Sequence, residues 1–315
     1  MSFLQNATPP KADRAIRTPS DENNRGNDDD PPRRRRLKLK PRSVPLSWAQ
    51  LHLGAKLNNG TYGIIYEYKL TSTNAAGTRV TETRVDPTRV VKGTIGQVAN
   101  EHCTRCPQTF INEVEHHRFV SRVIRECQHV DPEFALVTPD VGDGPFLVDN
   151  YCYYTMERLY PANVNEFTDK LGQFYFQKTD EAHAENAVYD GYELGVGAIR
   201  RVCVDLGVTP EKVVREMALF CGVCYRHGCL PLDVEYTVGK VYEGPPRVFV
   251  HDFDKIVLNV DISAENALTR LLTQLSYPDD GEWGQLFAST FQTVCTQLVG
   301  GEVDFGNAAG RKLAF

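Results

Sequence analysis

The sequence predicts an α+β fold behind a polar amino-terminal tail, and three observations predict it. Short β-branched or aromatic runs read as strands, as in Thr88-Arg89-Val90-Val91-Lys92 and Arg247-Val248-Phe249-Val250. Two longer segments carry apolar residues at helical spacing, one from about Gln108 to Cys127 and one from Pro210 to about His227. Residues 1–45 are rich in Pro, Asn, Asp and Arg and show neither period. Such a segment cannot bury enough apolar surface to offset the entropy of ordering, so the tail is expected to be disordered.

Composition narrows the classes. The chain has 315 residues, 41% hydrophobic and 24% charged, enough for a sizeable core. No apolar run approaches the roughly 18 residues of a membrane-spanning helix, and no signal-peptide core follows Met1, so an intracellular chain without membrane contact is expected. Nine cysteines are scattered rather than patterned, which points to a reducing compartment instead of a disulfide framework. The net charge of -6 hides an asymmetry: residues 1–47 carry +5 and the remaining 268 carry -11. The run Pro32-Arg33-Arg34-Arg35-Arg36-Leu37-Lys38-Leu39-Lys40-Pro41-Arg42 reads as a nuclear import signal or as a solvated charge run. A nuclear or nucleo-cytoplasmic location is expected on that run alone. The acidic remainder repels phosphate, so nucleic-acid contact is expected only through the tail.

The first folded stretch, Leu57 to Leu70, reads as strand, tight turn and strand, with Gly60 and Gly63 where the backbone must bend. A Gly-rich turn lets backbone N–H groups approach phosphates. In the next strand a period of two puts Val90 and Lys92 on one face. The helix from Gln108 follows, with Phe110, Val114, Val120 and Ile124 near one face and Glu113 beside it. Asn150 to Leu159 reads as a strand running into a polar connector.

Turn, strand lysine, helix glutamate and Met-Glu connector, in that order, resemble the small lobe of the protein-kinase-like superfamily. In such folds a Gly-rich loop covers the ATP phosphates, held by a strand Lys paired with a helix Glu. The resemblance implies that Gly60 and Gly63 are the second and third loop glycines, with Asn58 replacing the first. Ile65 and Val90 become the roof over adenine, Lys92 the phosphate lysine and Glu113 its partner. Met156 to Leu159 become gatekeeper and hinge, with Glu157 and Leu159 among the nucleotide contacts. ATP and Mg2+ are the cofactors implied.

Further along, Thr209 is a natural N-cap, Pro210 suits the first turn and Gly228 the stop. Val213, Met217, Phe220, Cys221 and Cys224 form a stripe that reads as core. The strand Arg247 to Val250 ends in His251-Asp252-Phe253-Asp254-Lys255, which resembles the metal-binding Asp-Phe-Gly of kinases with Asp254 replacing glycine. Kinases also carry a catalytic Asp with a metal-binding Asn five residues later. With Asp233 as the catalytic residue, the metal position falls on Val238. With Glu235 as the metal ligand, the catalytic position falls on Leu230. Neither register is complete.

A second resemblance covers about residues 190–290. Gly191-Tyr192-Glu193-Leu194-Gly195, Met217-Ala218, Asp233-Val234-Glu235-Tyr236 and Asp252-Phe253-Asp254 resemble a fungal-type family of unknown function, as do Tyr277-Pro278, Trp283 and Phe287. That family is often labelled a zinc-finger protein, and no enzymatic activity follows from membership. Cys103-Thr104-Arg105-Cys106 with His102 and the adjacent His116-His117 lacks zinc-finger spacing, so no zinc is expected.

The expected architecture is a disordered basic tail (1–45), a kinase-like small lobe (46–159) of antiparallel sheet plus one helix, and a shortened, mainly helical large lobe (160–315). The expected function is that of a kinase-like, catalytically degenerate ATP-binding protein acting through unidentified protein partners. Two alternatives stay open: an active atypical phosphotransferase with Asp233 as base, and a nuclear nucleic-acid-associated protein acting through its tail.

Overall fold

The apolar and polar residues flanking the Asn-Gly step form two strands that pair in antiparallel fashion, β1 (His52–Asn59) and β2 (Ile64–Thr73), with Asn58 opposite Ile65. The structure is a computed structural model that describes residues 52–59, 63–73, 79–95, 106–178, 183–186, 191–297, 302–304 and 312–314. The basic tail and Gly60 lie outside the described residues. The described residues belong to one compact unit within residues 34–315.

Alternation of small apolar and polar residues carries β3 (Arg79–Gly93) along β2, and β5 (Tyr151–Glu157) pairs on its other side. With β4 (Phe146–Val148) the first sheet has the order β1-β2-β3-β5-β4, all antiparallel. Between β3 and β4 runs α1 (Gln108–Val130), longer than expected because its apolar stripe continues to Val130. The helix buries Phe110 and Val114 against the sheet in a small cluster with Cys106, Cys152 and Tyr154. Its carboxy-terminal half, from Phe119 onward, joins the main core instead. One helix thus ties two hydrophobic clusters together.

The carboxy-terminal part contains α2 (Val196–Asp205), α3 (Pro210–Arg226), α4 (Ala264–Leu272) and α5 (Gly281–Gln297). It also contains a second five-stranded sheet, which corrects the expectation of a mainly helical lobe. Its order is β11-β10-β6-β8-β7, from β6 (Leu171–Phe174), β7 (His183–Asn186), β8 (Gly191–Leu194), β10 (Glu235–Gly239) and β11 (Arg247–His251). The strands β6 to β8 are four residues each, too short to show a period, and Gly172 lowers the local β signal. That glycine has a packing reason: a Cβ there would stand 2.4 Å from the Phe167 ring. Two short strands, β9 (Cys229–Leu230) and β12 (Val257–Leu258), pair on either side of the β10–β11 hairpin. Strands β13 (Glu302–Asp304) and β14 (Lys312–Ala314) form a further two-stranded pair.

The α3 boundaries follow the sequence signals. Thr209 Oγ1 accepts from the Lys212 amide at 3.1 Å, Pro210 begins the helix, and Gly228 takes φ +71° just beyond it. Cys221 and Cys224 are buried in the core, as their stripe implies. The cysteine expectation needs one correction: Cys106 and Cys152 are joined in a disulfide, so this pair is oxidised. Cys127, Cys203, Cys221, Cys224, Cys229 and Cys295 are free thiols, and Cys103 lies outside the described residues. No helix among the described residues is long and apolar enough to cross a membrane.

Helices α3 and α5 touch at Gly222, where a Cβ would lie 2.5 Å from Cγ1 of Val294. Val294 is β-branched, fully buried and unable to turn away. Gly→Ala normally stabilises a helix interior. Here Gly222→Ala should destabilise by about 1–3 kcal/mol, the range for overpacking, as read by urea unfolding. A gain in stability would contradict the close contact.

Candidate functional site

The register of the first sheet assembles one face. Ile65 and Tyr154 both stand opposite Lys92, while Glu67 and Met156 stand opposite Val90. Directly paired residues share a face, so Ile65, Val90, Lys92, Tyr154 and Met156 line the same side. Gly63 completes it: a Cβ there would come 2.8 Å from Lys92 Cε and 3.1 Å from the Gly93 carbonyl oxygen, so the backbone at Gly63 lies close against the lysine stem.

Lys92 is the centre of the site. Its Nζ is 2.5 Å from Glu113 Oε1 and 3.8 Å from Asp252 Oδ1. Tyr154 donates its hydroxyl to the same Glu113 oxygen at 3.0 Å. Burial alone would lower the Lys92 pKa; Tyr154, Glu113 and Asp252 outweigh it and hold the ammonium well above its ordinary range. Burial, countered in part by Lys92, pushes the Tyr154 phenol well up, so it stays a donor.

Asp252 follows β11 with φ +62°, a conformation costly for a residue with a side chain. Two histidines from α1 help to hold it there. Glu113, His116 and His117 sit at i, i+3 and i+4 and therefore share a helix face. The His116 Nδ1–H donates to the Phe253 carbonyl at 2.9 Å, and His117 packs edge-on against the Phe253 ring at 4.9 Å. His117 also donates through Nε2 to the Pro139 carbonyl at 2.6 Å. Burial lowers both imidazole pKa values, that of His117 to about 4, so both are neutral donors near pH 7. Asp252 Oδ1 itself is buried without a hydrogen-bond partner. Its nearest counter-charge is the Lys92 ammonium at 3.8 Å.

Further carboxylates converge on Asp252. Burial, and then the Asp252 charge, raise Glu235 to about 7 and Asp254 to about 6. Glu235 begins β10 opposite His251, whose Nδ1 is 3.6 Å from Glu235 Oε2 and whose Nε2 bonds Thr237 Oγ1 at 2.7 Å. Burial lowers His251 to about 4, so it brings no positive charge. Four carboxylates, those of Glu113, Asp252, Asp254 and Glu235, thus lie within electrostatic reach of Lys92.

The loop between β9 and β10 is short. Residues 231–234 are all that separates the two strands. Asp233, at φ +55°, turns its carboxylate to Lys255 at the half-exposed edge, while Glu235 turns inward. Val238 lies buried in mid-strand between Val248 and Gly172, and Leu230 is fully buried. Neither can serve as the partner that a five-residue spacing would require. The loop is held from below by Tyr277, whose hydroxyl donates to the Pro231 carbonyl at 2.8 Å and which packs against Tyr236 and Phe287.

The connector residues are placed differently from one another. The Glu157 carboxylate accepts from the Asp140 amide at 3.2 Å and its own amide donates to the Asp140 carbonyl at 2.8 Å, so its side chain serves the 140 loop. Leu159 is half-buried in the connector after β5. Sequence reasoning missed Tyr154, His116, His117, His251 and Lys255. The spacing of the two α1 histidines from Glu113 is the signal that could have found them. Cys106 is bonded to Cys152, so its thiolate is not available to a metal in this state. No protein-family model matches the chain, and no curated protein is similar to it.

Two predictions follow from this geometry. Lys92→Met leaves Glu113 buried without its cation and should cost about 3–5 kcal/mol, read by denaturant unfolding. Folded Glu235 takes up its proton near pH 7, whereas the ordinary value is 4.5. Between those values the folded state holds a proton that the unfolded chain has released, so stability falls as pH rises through this window. The thermal midpoint should decline from pH 5 to 7.5 and decline less in Glu235→Gln. An identical slope in the two proteins would remove Glu235 from the explanation.

Proposed function

We propose that this chain is a protein-kinase-like protein that binds ATP with Mg2+ in the cleft around Lys92 and acts mainly through protein partners. The observation that carries the reading is the triad of Lys92, Glu113 and Asp252, brought together from strand, helix and post-hairpin turn. In kinases the same three residue types, from the same sequence of elements, orient the phosphates and hold the metal. The order β1-β2-β3-β5-β4 with its helix inserted after β3 supports a small lobe, and the β9–β12 pairing supports a catalytic-loop region.

The residues fit Mg2+ as well. Asp252 offers a buried oxygen that makes no hydrogen bond, and Glu235 stands near it. Mg2+ is commonly held by one or two carboxylates, with waters and substrate phosphates completing the octahedron. Among the described residues no three potential ligands are gathered into a ready-made metal cluster, and a shared site with nucleotide needs none. When bound, the ion would neutralise phosphate oxygens. Lys92 would neutralise the remaining phosphate charge, and Glu113, held by Tyr154, would orient Lys92. Ile65 and Val90 would cover the base.

Transfer is less well provided for. The carboxylate in the catalytic loop, Asp233, is paired with Lys255 at the edge. That edge position also favours a second reading, an active phosphotransferase in which Asp233 accepts the acceptor's proton. Loss of radiolabel transfer in Asp233→Ala would support it.

Thermal unfolding with and without Mg-ATP tests the first reading. A ligand specific for the folded state adds about 2.7 kcal/mol at a hundredfold excess over its dissociation constant. The wild-type midpoint should rise, and Asp252→Asn, which keeps shape and removes charge, should lose the Mg2+-dependent part. No shift at millimolar nucleotide would defeat the proposal.

A further inference from the structure

The amino-terminal end of α1 lacks the usual means of holding a helix start. Its N-cap is Pro107, which makes no side-chain cap hydrogen bond, and no acidic residue lies in the first turn. A covalent bond stands there instead. Cys106, the residue before the cap, is joined to Cys152 in β5 across a Cα–Cα distance of 5.7 Å. Cys152 is itself fixed to the end of β3, accepting from the Thr94 amide at 3.0 Å and donating its amide to Thr94 Oγ1 at 3.2 Å.

The bond lies at the centre of the small cluster that also contains Phe110, Val114 and Tyr154, with the Phe110 and Tyr154 rings edge-to-face at 5.6 Å. The same Tyr154 donates to Glu113, and Glu113 accepts from Lys92. Besides the two cysteines this cluster holds Phe110, Val114 and Tyr154 with Ile111, Val141, Leu147 and Met156 packed partly buried against them, far fewer than the main core, so the covalent link contributes a large share of what keeps this end of α1 on the sheet. Helix ends without caps open locally more readily than helix centres.

We propose that the Cys106–Cys152 bond is a redox clamp that sets the Lys92–Glu113 pair, and hence nucleotide affinity, through the amino-terminal turns of α1; this rests on the nucleotide reading above. Cleavage needs a dithiol reductant. One of its thiolates attacks a cysteine sulfur, the protein S–S bond breaks, and the other cysteine leaves as thiolate. The reductant's second thiol then displaces the attacked cysteine. Two electrons and two protons pass to the protein, which ends as two thiols, and the reductant ends as a disulfide. With the link gone, the uncapped turns are free to separate from β5, carrying Glu113 away from Tyr154 and Lys92.

The test compares the full chain, oxidised and after dithiothreitol, with the state of Cys106 and Cys152 established by alkylation and peptide mass. Reduction should speed hydrogen exchange in the first turns of α1, raise Lys92 acylation by an amine reagent, and weaken Mg-ATP binding on the order of tenfold. Reoxidation should restore all three. Cys152→Ala should match the reduced wild type and ignore dithiothreitol; if it does not fold, the reversible wild-type comparison decides alone. Unchanged exchange and acylation with the bond demonstrably broken would overturn the clamp, as would a bond that native-state reductant cannot open. If neither redox form binds Mg-ATP, the nucleotide reading fails, and exchange and Lys92 acylation still judge the clamp separately.

Discussion

A buried ammonium has to be matched by carboxylates, and in this chain that requirement falls on Lys92. Its two partners come from parts of the sequence far apart, Glu113 on α1 and Asp252 after β11. Desolvating a charge costs several kcal/mol, which only close and well-bonded counter-charges offset. The arrangement therefore constrains three elements at once. The helix lies with Glu113 over β3, the backbone at Gly63 lies close against the Lys92 stem, and the chain after β11 takes a left-handed step at Asp252.

The surrounding residues meet those demands by hydrogen bonds rather than further charge. Tyr154 satisfies the shared Glu113 oxygen, and His116 pins the Phe253 carbonyl beside the strained Asp252. Both histidines are neutral, so they hold backbone without adding to the field. What remains is an excess of carboxylates around one lysine, an electrostatic state that protonation relieves at low pH and that a divalent ion with phosphate would relieve at neutral pH. Beneath the short loop at residues 231–234, Tyr277 and its aromatic neighbours form a rigid floor. Tyr236 and Tyr277 thus support the loop rather than perform chemistry.

Much of this was legible from residue order. Period two put Lys92 on a strand face with Val90, helical spacing put Glu113 beside an apolar stripe, and Asp252 follows a strand directly; the pairing of Lys92 with Glu113 came only from the kinase-like resemblance. The α3 caps were legible for the same local reason. The β6–β8 strands were not, since four-residue strands give no period and β6 pairs with β10 beyond two intervening helices. The Cys106–Cys152 link spans 46 residues, and pairings at such a distance leave no mark in spacing. The roles of Asp233 and Glu235 could not be separated either, because a two-residue strand, β9, sets where the loop begins and only its pairing with β12 reveals it.

The account turns on Asp252 and Lys92 facing the same bound group. A crystal soaked with Mn2+ and a non-hydrolysable ATP analogue, measured at the manganese absorption edge, addresses that claim most directly. The account predicts an anomalous peak in direct coordination with Asp252, with a phosphate oxygen beside Lys92. Nucleotide bound elsewhere, or manganese seated away from Asp252 while the analogue occupies the cleft, would contradict it.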